Sequence, residues 1–108
     1  MAEKVLANNF KTAAADTIET VYTANNDTLI SAFTVSNSGA ASSSYKAYIV
    51  DAGGLVGDPV QPMTIVVKDK KHNGSGMVNQ LVVSGGSIRV EDSTAGNLNF
   101  YITGRTDT

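Results

Sequence analysis

His72 is the single imidazole of the chain, and it lies in a polar run, Lys68-Asp69-Lys70-Lys71-His72-Asn73. A zinc centre or a nucleophilic triad needs several such groups acting together, and the chain has no cysteine to supply a thiolate ligand or nucleophile. His72 therefore reads as a solvated turn residue, and the surrounding lysines as a hairpin tip rather than a docking patch. Asp51, Asp58, Asp69 and Asp92 fall near expected strand ends, where carboxylates could meet around a hard cation, but their spacing matches no calcium loop. Gly53-Gly54-Leu55-Val56-Gly57 has the glycine density of a phosphate cradle without the Gly-Lys-Ser/Thr or the following helix that the chemistry requires. Asn26-Asp27-Thr28 and Asn73-Gly74-Ser75 fit the glycosylation sequon, which chance supplies readily in a chain this rich in Asn, Ser and Thr. No nucleophile, base and orienting group can be assembled from these residues, so neither an enzyme nor a cofactor is expected, and the catalytic and metal sets are empty.

If chemistry is not the product, association is, and the elements decide what surface is offered. The 108 residues make one domain's worth of chain, able to bury about two-thirds of its unfolded surface. Eight Lys and Arg against ten Asp and Glu leave a formal charge of -2, which gives no electrostatic reason to expect nucleic acid or an anionic membrane as partner. Met1 to Phe10 contain no continuous apolar stretch of the secretory kind, and no apolar run approaches the ~20 residues that span a bilayer. Ser, Thr and Asn together number 30, Gly 10, and Val outnumbers Leu by 12 to 5, a mixture that suits strands and tight turns.

Period-2 alternation locates the strands. Leu98, Phe100 and Ile102 alternate with polar neighbours and Tyr101, and Ile88 and Val90 alternate with Ser87, Arg89 and Glu91. The short Ser93-Thr94-Ala95-Gly96 link predicts a hairpin between those two runs. Further strands are expected at 77–83, 63–68, 45–50, 29–35 and 17–23, with a polar turn over Lys70 to Gly76 and further turns at Ser38 to Ser44 and Asn25 to Asp27. Ala52 to Gln61 is the longest stretch without periodicity and is the candidate functional loop. Seven strands, with a possible eighth over Lys4 to Phe10, predict an all-β sandwich of jelly-roll or Greek-key type: residues 1–15 an N-terminal arm or first strand, residues 16–108 the single domain.

Only one face of each strand is needed for the core, so apolar residues on the other face are candidate partner contacts. Tyr48 and Val50 fall opposite Tyr45, Ala47 and Ile49, and Tyr101 falls opposite Leu98, Phe100 and Ile102. Aromatic anchors of this kind are typical of interfaces. Val5, Leu6 and Phe10 lack clean alternation, which fits either an arm pairing with a neighbouring subunit or an ordinary first strand.

Two stretches carry a family likeness. The first runs Asp16-Thr17-Ile18-Glu19-Thr20-Val21-Tyr22-Thr23, a turn, Leu29 to Gly39, then Tyr45-Lys46-Ala47-Tyr48-Ile49; the second runs Leu81 to Val90 and Ser93 to Gly104. In this order they resemble the small β-sandwich modules of tailed-bacteriophage virions, departing at Ala24-Asn25-Asn26-Asp27, where such modules often carry a Pro-Ala-Gly type turn. The resemblance implies a virion component assembled in the host cytoplasm. It would be a head decoration or cement protein bound to the major capsid protein, or a neck, tail or fibre module contacting another virion protein or a host-surface glycan. It also implies a homo-oligomer, trimer or dimer.

Overall fold

The computed structural model describes residues 2–37, 39, 42–53, 63–67, 71–73 and 77–106. They form nine strands and no helix: β1 (Ala2–Phe10), β2 (Glu19–Thr23), β3 (Thr28–Asn37), β4 (Ser43–Val50), β5 (Met63–Val67), β6 (Lys71–Asn73), β7 (Leu81–Val82), β8 (Ser87–Asp92) and β9 (Leu98–Thr106). Two antiparallel sheets result. The first has the order β1-β9-β3-β6, with β7 also paired to β3, and the second has the order β2-β8-β4-β5. This is the all-β sandwich that the alternation predicts.

The sandwich closes because the alternating apolar residues face one another. In β9 the even-numbered residues from Leu98 to Thr106 are buried while Tyr101 and Arg105 are exposed, the two-residue period of a strand with one wet face. Phe33 of β3, Phe100 of β9 and Tyr45 of β4 join the sheets, with ring centroids 5.7 to 6.4 Å apart and two of the three pairs edge-on. Around them pack Ile30, Val35, Ile49, Met77, Val82, Ile88, Val90, Leu98 and Ile102, all fully buried.

Three expectations need correction. Ser87–Asp92 and Leu98–Thr106 do not make a hairpin, because β8 belongs to the second sheet and β9 to the first. The link crosses the core edge, and buried Asp92 fixes the crossing. Its carboxylate accepts Thr94 N–H and Leu98 N–H at 3.0 Å each and the Ser43 hydroxyl, while Ser93 N–H donates to the Ser44 carbonyl at 2.9 Å. Those bonds turn the chain out of the sheet where a two-strand ladder would keep it in. The expected strand over 77–83 shrinks to Leu81–Val82, since residues 77–79 form a turn with Asn79 at φ +67° and Met77 driven into the core. Conversely, Lys71–Asn73, expected as turn, is strand β6, paired to β3 at Thr34, Val35 and Ser36. Backbone pairing to a sheet edge requires no apolar alternation, so a polar strand there leaves little trace in the pattern.

The N-terminal segment is strand β1, paired to β9 of the same chain from Ala2↔Thr106 to Phe10↔Phe100. Its register slips twice, and Asn9 stands at φ +52°. The first slip brings Leu6 and Ala7, consecutive in sequence, both into the core. That is why the apolar residues of this segment do not alternate. Gly104 makes room for this packing: a Cβ there would lie 2.6 Å from the Leu29 carbonyl oxygen and 2.8 Å from Leu6 Cδ1.

Candidate functional site: the outer face of the first sheet

Paired strands send directly opposed residues to the same side, so the register gives the outer faces. On the first sheet, Glu3, Arg105, Leu29 and Leu81 form one row across β1, β9, β3 and β7. Val5, Thr103 and Ala32 form the next, and Tyr101 and Thr34 another. Three of the four large apolar side chains most exposed among the described residues belong to this face: Val5 at 46%, Leu81 at 48% and Tyr101 at 38%. Its charges among the described side chains are Glu3 and Arg105, which pair with each other at 3.5 Å; Glu3 also accepts the Ser31 hydroxyl at 3.4 Å. Among the described side chains the face therefore has balanced charge and is partly apolar.

The second sheet is different. Its outer side sets Lys46 opposite Glu91 and Tyr48 opposite Arg89, a surface of opposite charges that water solvates well. Tyr48 is nearly covered, and its hydroxyl donates to Glu91 at 3.4 Å. Burial and the adjacent Glu91 carboxylate hold the Tyr48 phenol above the ordinary tyrosine range. Beside this face a recess of about 160 Å³ is lined by Asp16, Ser44, Tyr45, Lys46, Glu91 and Ser93. The Ser93 hydroxyl oxygen there accepts Ser44 N–H at 2.8 Å and lies 3.0 Å from the Ser43 hydroxyl. These bonds tie the turn to β4. No group of three or more metal-ligating side chains occurs among the described residues.

The six residues singled out from the sequence are thus divided. Val5 and Tyr101 share the first sheet's outer face. Leu6 is in the core at 7% exposure, and Phe10, partly buried, packs against that core. Tyr48 and Val50 lie on the second sheet, and Val50 is covered at 1% exposure. Leu81 and Leu29 were missed. The run Leu81-Val82-Val83 contains the signal, since three consecutive apolar residues cannot share one side of an extended chain; Val82 is fully buried and both neighbours are exposed. Of the candidate loop, residues 54–61 lie outside the described residues, as do Asp58, Lys68, Asp69 and Lys70, Gly74 and Ser75 of the second sequon, and Ser38, Ala40 and Ala41 of the Ser38 to Ser44 turn; of His72 only the backbone, in β6, is described.

No protein-family model, no curated protein and no solved structure matches the chain.

Proposed function

We propose that the chain is a non-enzymatic jelly-roll module of a tailed-phage particle that decorates or cements the head by binding across coat subunits. The jelly-roll reading draws support from nested pairing. β4 pairs with β5, β3 with the interrupted strand β6 and β7, β2 with β8, and β1 with β9. A long antiparallel ribbon folded at β4–β5 and rolled into two sheets has these pairs, with β9·β3 and β8·β4 as the new neighbours created by rolling. The virion assignment rests on the likeness of residues 16–49 and 81–104 to phage modules.

The observation that carries an associative function is the first sheet's outer face, with exposed Val5, Leu81 and Tyr101 around a self-neutralised ion pair. Covering such a face removes apolar area from water at about 25 cal/mol per Å², and the gain appears as resistance of the assembly to separation. Particles assembled without this chain should release their genome at lower temperature, and adding back the purified protein should restore the wild-type value. No binding to such particles sinks the proposal. Tyr101, flanked on its face by Thr34, Thr103 and Asn99, favours a second reading, a fibre or tail module that stacks a host-surface sugar on that ring. Binding to a glycan array that Tyr101→Ser abolishes would select it.

A further inference from the structure

The N-terminal strand is attached to the body of the fold much more weakly than the link that follows it. We propose that β1 is a strap that opens from β9 as a unit, hinged at Asn9 to Lys11, and that a coat subunit bound to the first sheet's outer face locks it shut. The lock rests on reading that face as the associating one; the strap does not.

β1 stands at the end of its sheet, and among the described residues its backbone ladder runs to β9 alone. Of residues 3–10 only Leu6 and Ala7 are buried, with Phe10 partly so, whereas β9 buries five of its nine residues. The other side-chain contacts of β1 lie at the surface. Glu3 meets Arg105 at 3.5 Å and Ser31 at 3.4 Å, and the Lys4 ammonium lies 5.8 Å from the centre of the Tyr22 ring. Water and salt weaken contacts of this kind.

Just past the hinge the chain is tied down repeatedly. Thr12 is buried, and its hydroxyl oxygen accepts Gly96 N–H at 3.4 Å. The Glu19 carboxylate accepts Ala13 N–H at 2.8 Å and Ala14 N–H at 3.2 Å, and Asp16 N–H donates to the Asp92 carbonyl at 2.8 Å. Unzipping from Ala2 therefore meets weak attachment as far as Phe10 and a stop at Thr12. Between the two, the register has slipped from Ala7 to Phe10, Asn9 stands at φ +52° and Lys11 is exposed, so the ladder is already interrupted where the hinge must turn. Domains open in contiguous units whose free energies range from near zero to that of global unfolding, and a strand with few buried contacts belongs to the low end.

Opening changes the associating face, because Val5 and Glu3 ride on β1. Closed, they complete rows with Thr103 and Arg105. Open, the face loses Val5, and Arg105 loses its ion-pair partner. A coat subunit that covers Val5 together with β9 binds the closed state alone and stabilises it by mass action.

Amide hydrogen exchange on the full chain is the test. The amides that join β1 to β9 should exchange at one common rate, roughly 100-fold or more faster than those that join β4 to β8. Directly opposed residues of an antiparallel pair are close enough to be bridged by a disulfide. Oxidised Glu3→Cys with Arg105→Cys should therefore slow the β1 amides to the β4–β8 rate, and reduction should restore the difference. Wild-type β1 amides as slow as those of β4–β8, or a gradient rising toward Ala2 in place of one rate, would overturn the strap. On particles that lack the chain, bound wild-type protein should exchange its β1 amides roughly 10-fold or more slowly than free protein; unchanged rates overturn the lock. A protein that never binds particles retires the coat-subunit reading and the lock with it, and leaves the strap standing on the exchange of the free protein.

Discussion

Replacing Asp92 by alanine should be among the most damaging single changes away from the aromatic core. The carboxylate is fully buried and accepts from Leu98 N–H and Thr94 N–H at 3.0 Å each, and from the Ser43 hydroxyl. Alanine leaves the Leu98 amide buried without an acceptor, which costs about 2–3 kcal/mol, and the half-exposed Thr94 amide about 1 kcal/mol more. The Ser43 hydroxyl keeps Ser93 at 3.0 Å, so it adds little. Relief from burying the carboxylate itself offsets part of the loss, and the net should be about 3 kcal/mol. For a domain near this length that lowers the melting temperature by roughly 15 °C. Asp92→Asn keeps the shape and one acceptor but turns a second acceptor into a donor facing a donor, for about half to two-thirds of the loss. Urea unfolding read by far-ultraviolet circular dichroism measures both, and the midpoint should fall with the slope unchanged. A loss for Asp92→Ala below about 1 kcal/mol would refute the reasoning that this side chain holds the crossing between sheets.

Other parts of the fold make separate predictions. Gly104→Ala should cost about 1–3 kcal/mol in the same assay, because the new methyl group meets the Leu29 carbonyl oxygen at 2.6 Å and Leu6 at 2.8 Å. Leu6→Ala should cost about 2–3 kcal/mol and Val5→Ser under about 0.5 kcal/mol, since one is buried and its neighbour exposed; equal losses would contradict the bulge that separates them. Burial pushes the Tyr45 phenol above its ordinary range. The folded state therefore keeps a proton that the unfolded state releases above about pH 10, and stability should fall as pH rises past that point. Tyr45→Phe should flatten this alkaline fall in unfolding curves collected across the pH range.

Strand existence was legible in the sequence wherever a strand has one dry face, and Leu98, Phe100 and Ile102 show why: a two-residue period is the trace of burial on a single side. Sheet membership was not legible. The link from Asp92 to Leu98 is short enough for a hairpin, and what sends the chain across the core instead is a buried carboxylate bonded to Ser43, 49 residues away in sequence. Strand β6 escaped notice because an edge strand needs only backbone pairing, and the N-terminal segment could be read equally as an arm or a first strand because a bulge turns two adjacent residues inward. Of the candidate surface, Tyr101 could be found from alternation alone, whereas the bulge after Val5 breaks the pattern around that residue. Leu6 and Val50 could not be told from surface residues without knowing what covers them, and Leu81 lay in a run whose third residue concealed which side was wet.

The central claim, that this chain is a structural component of a phage particle, is tested most directly by counting it. Quantitative mass spectrometry of purified particles gives the number of copies per major coat subunit. The account predicts a ratio near one, the value for a protein that covers the head surface; absence from the particles would contradict it.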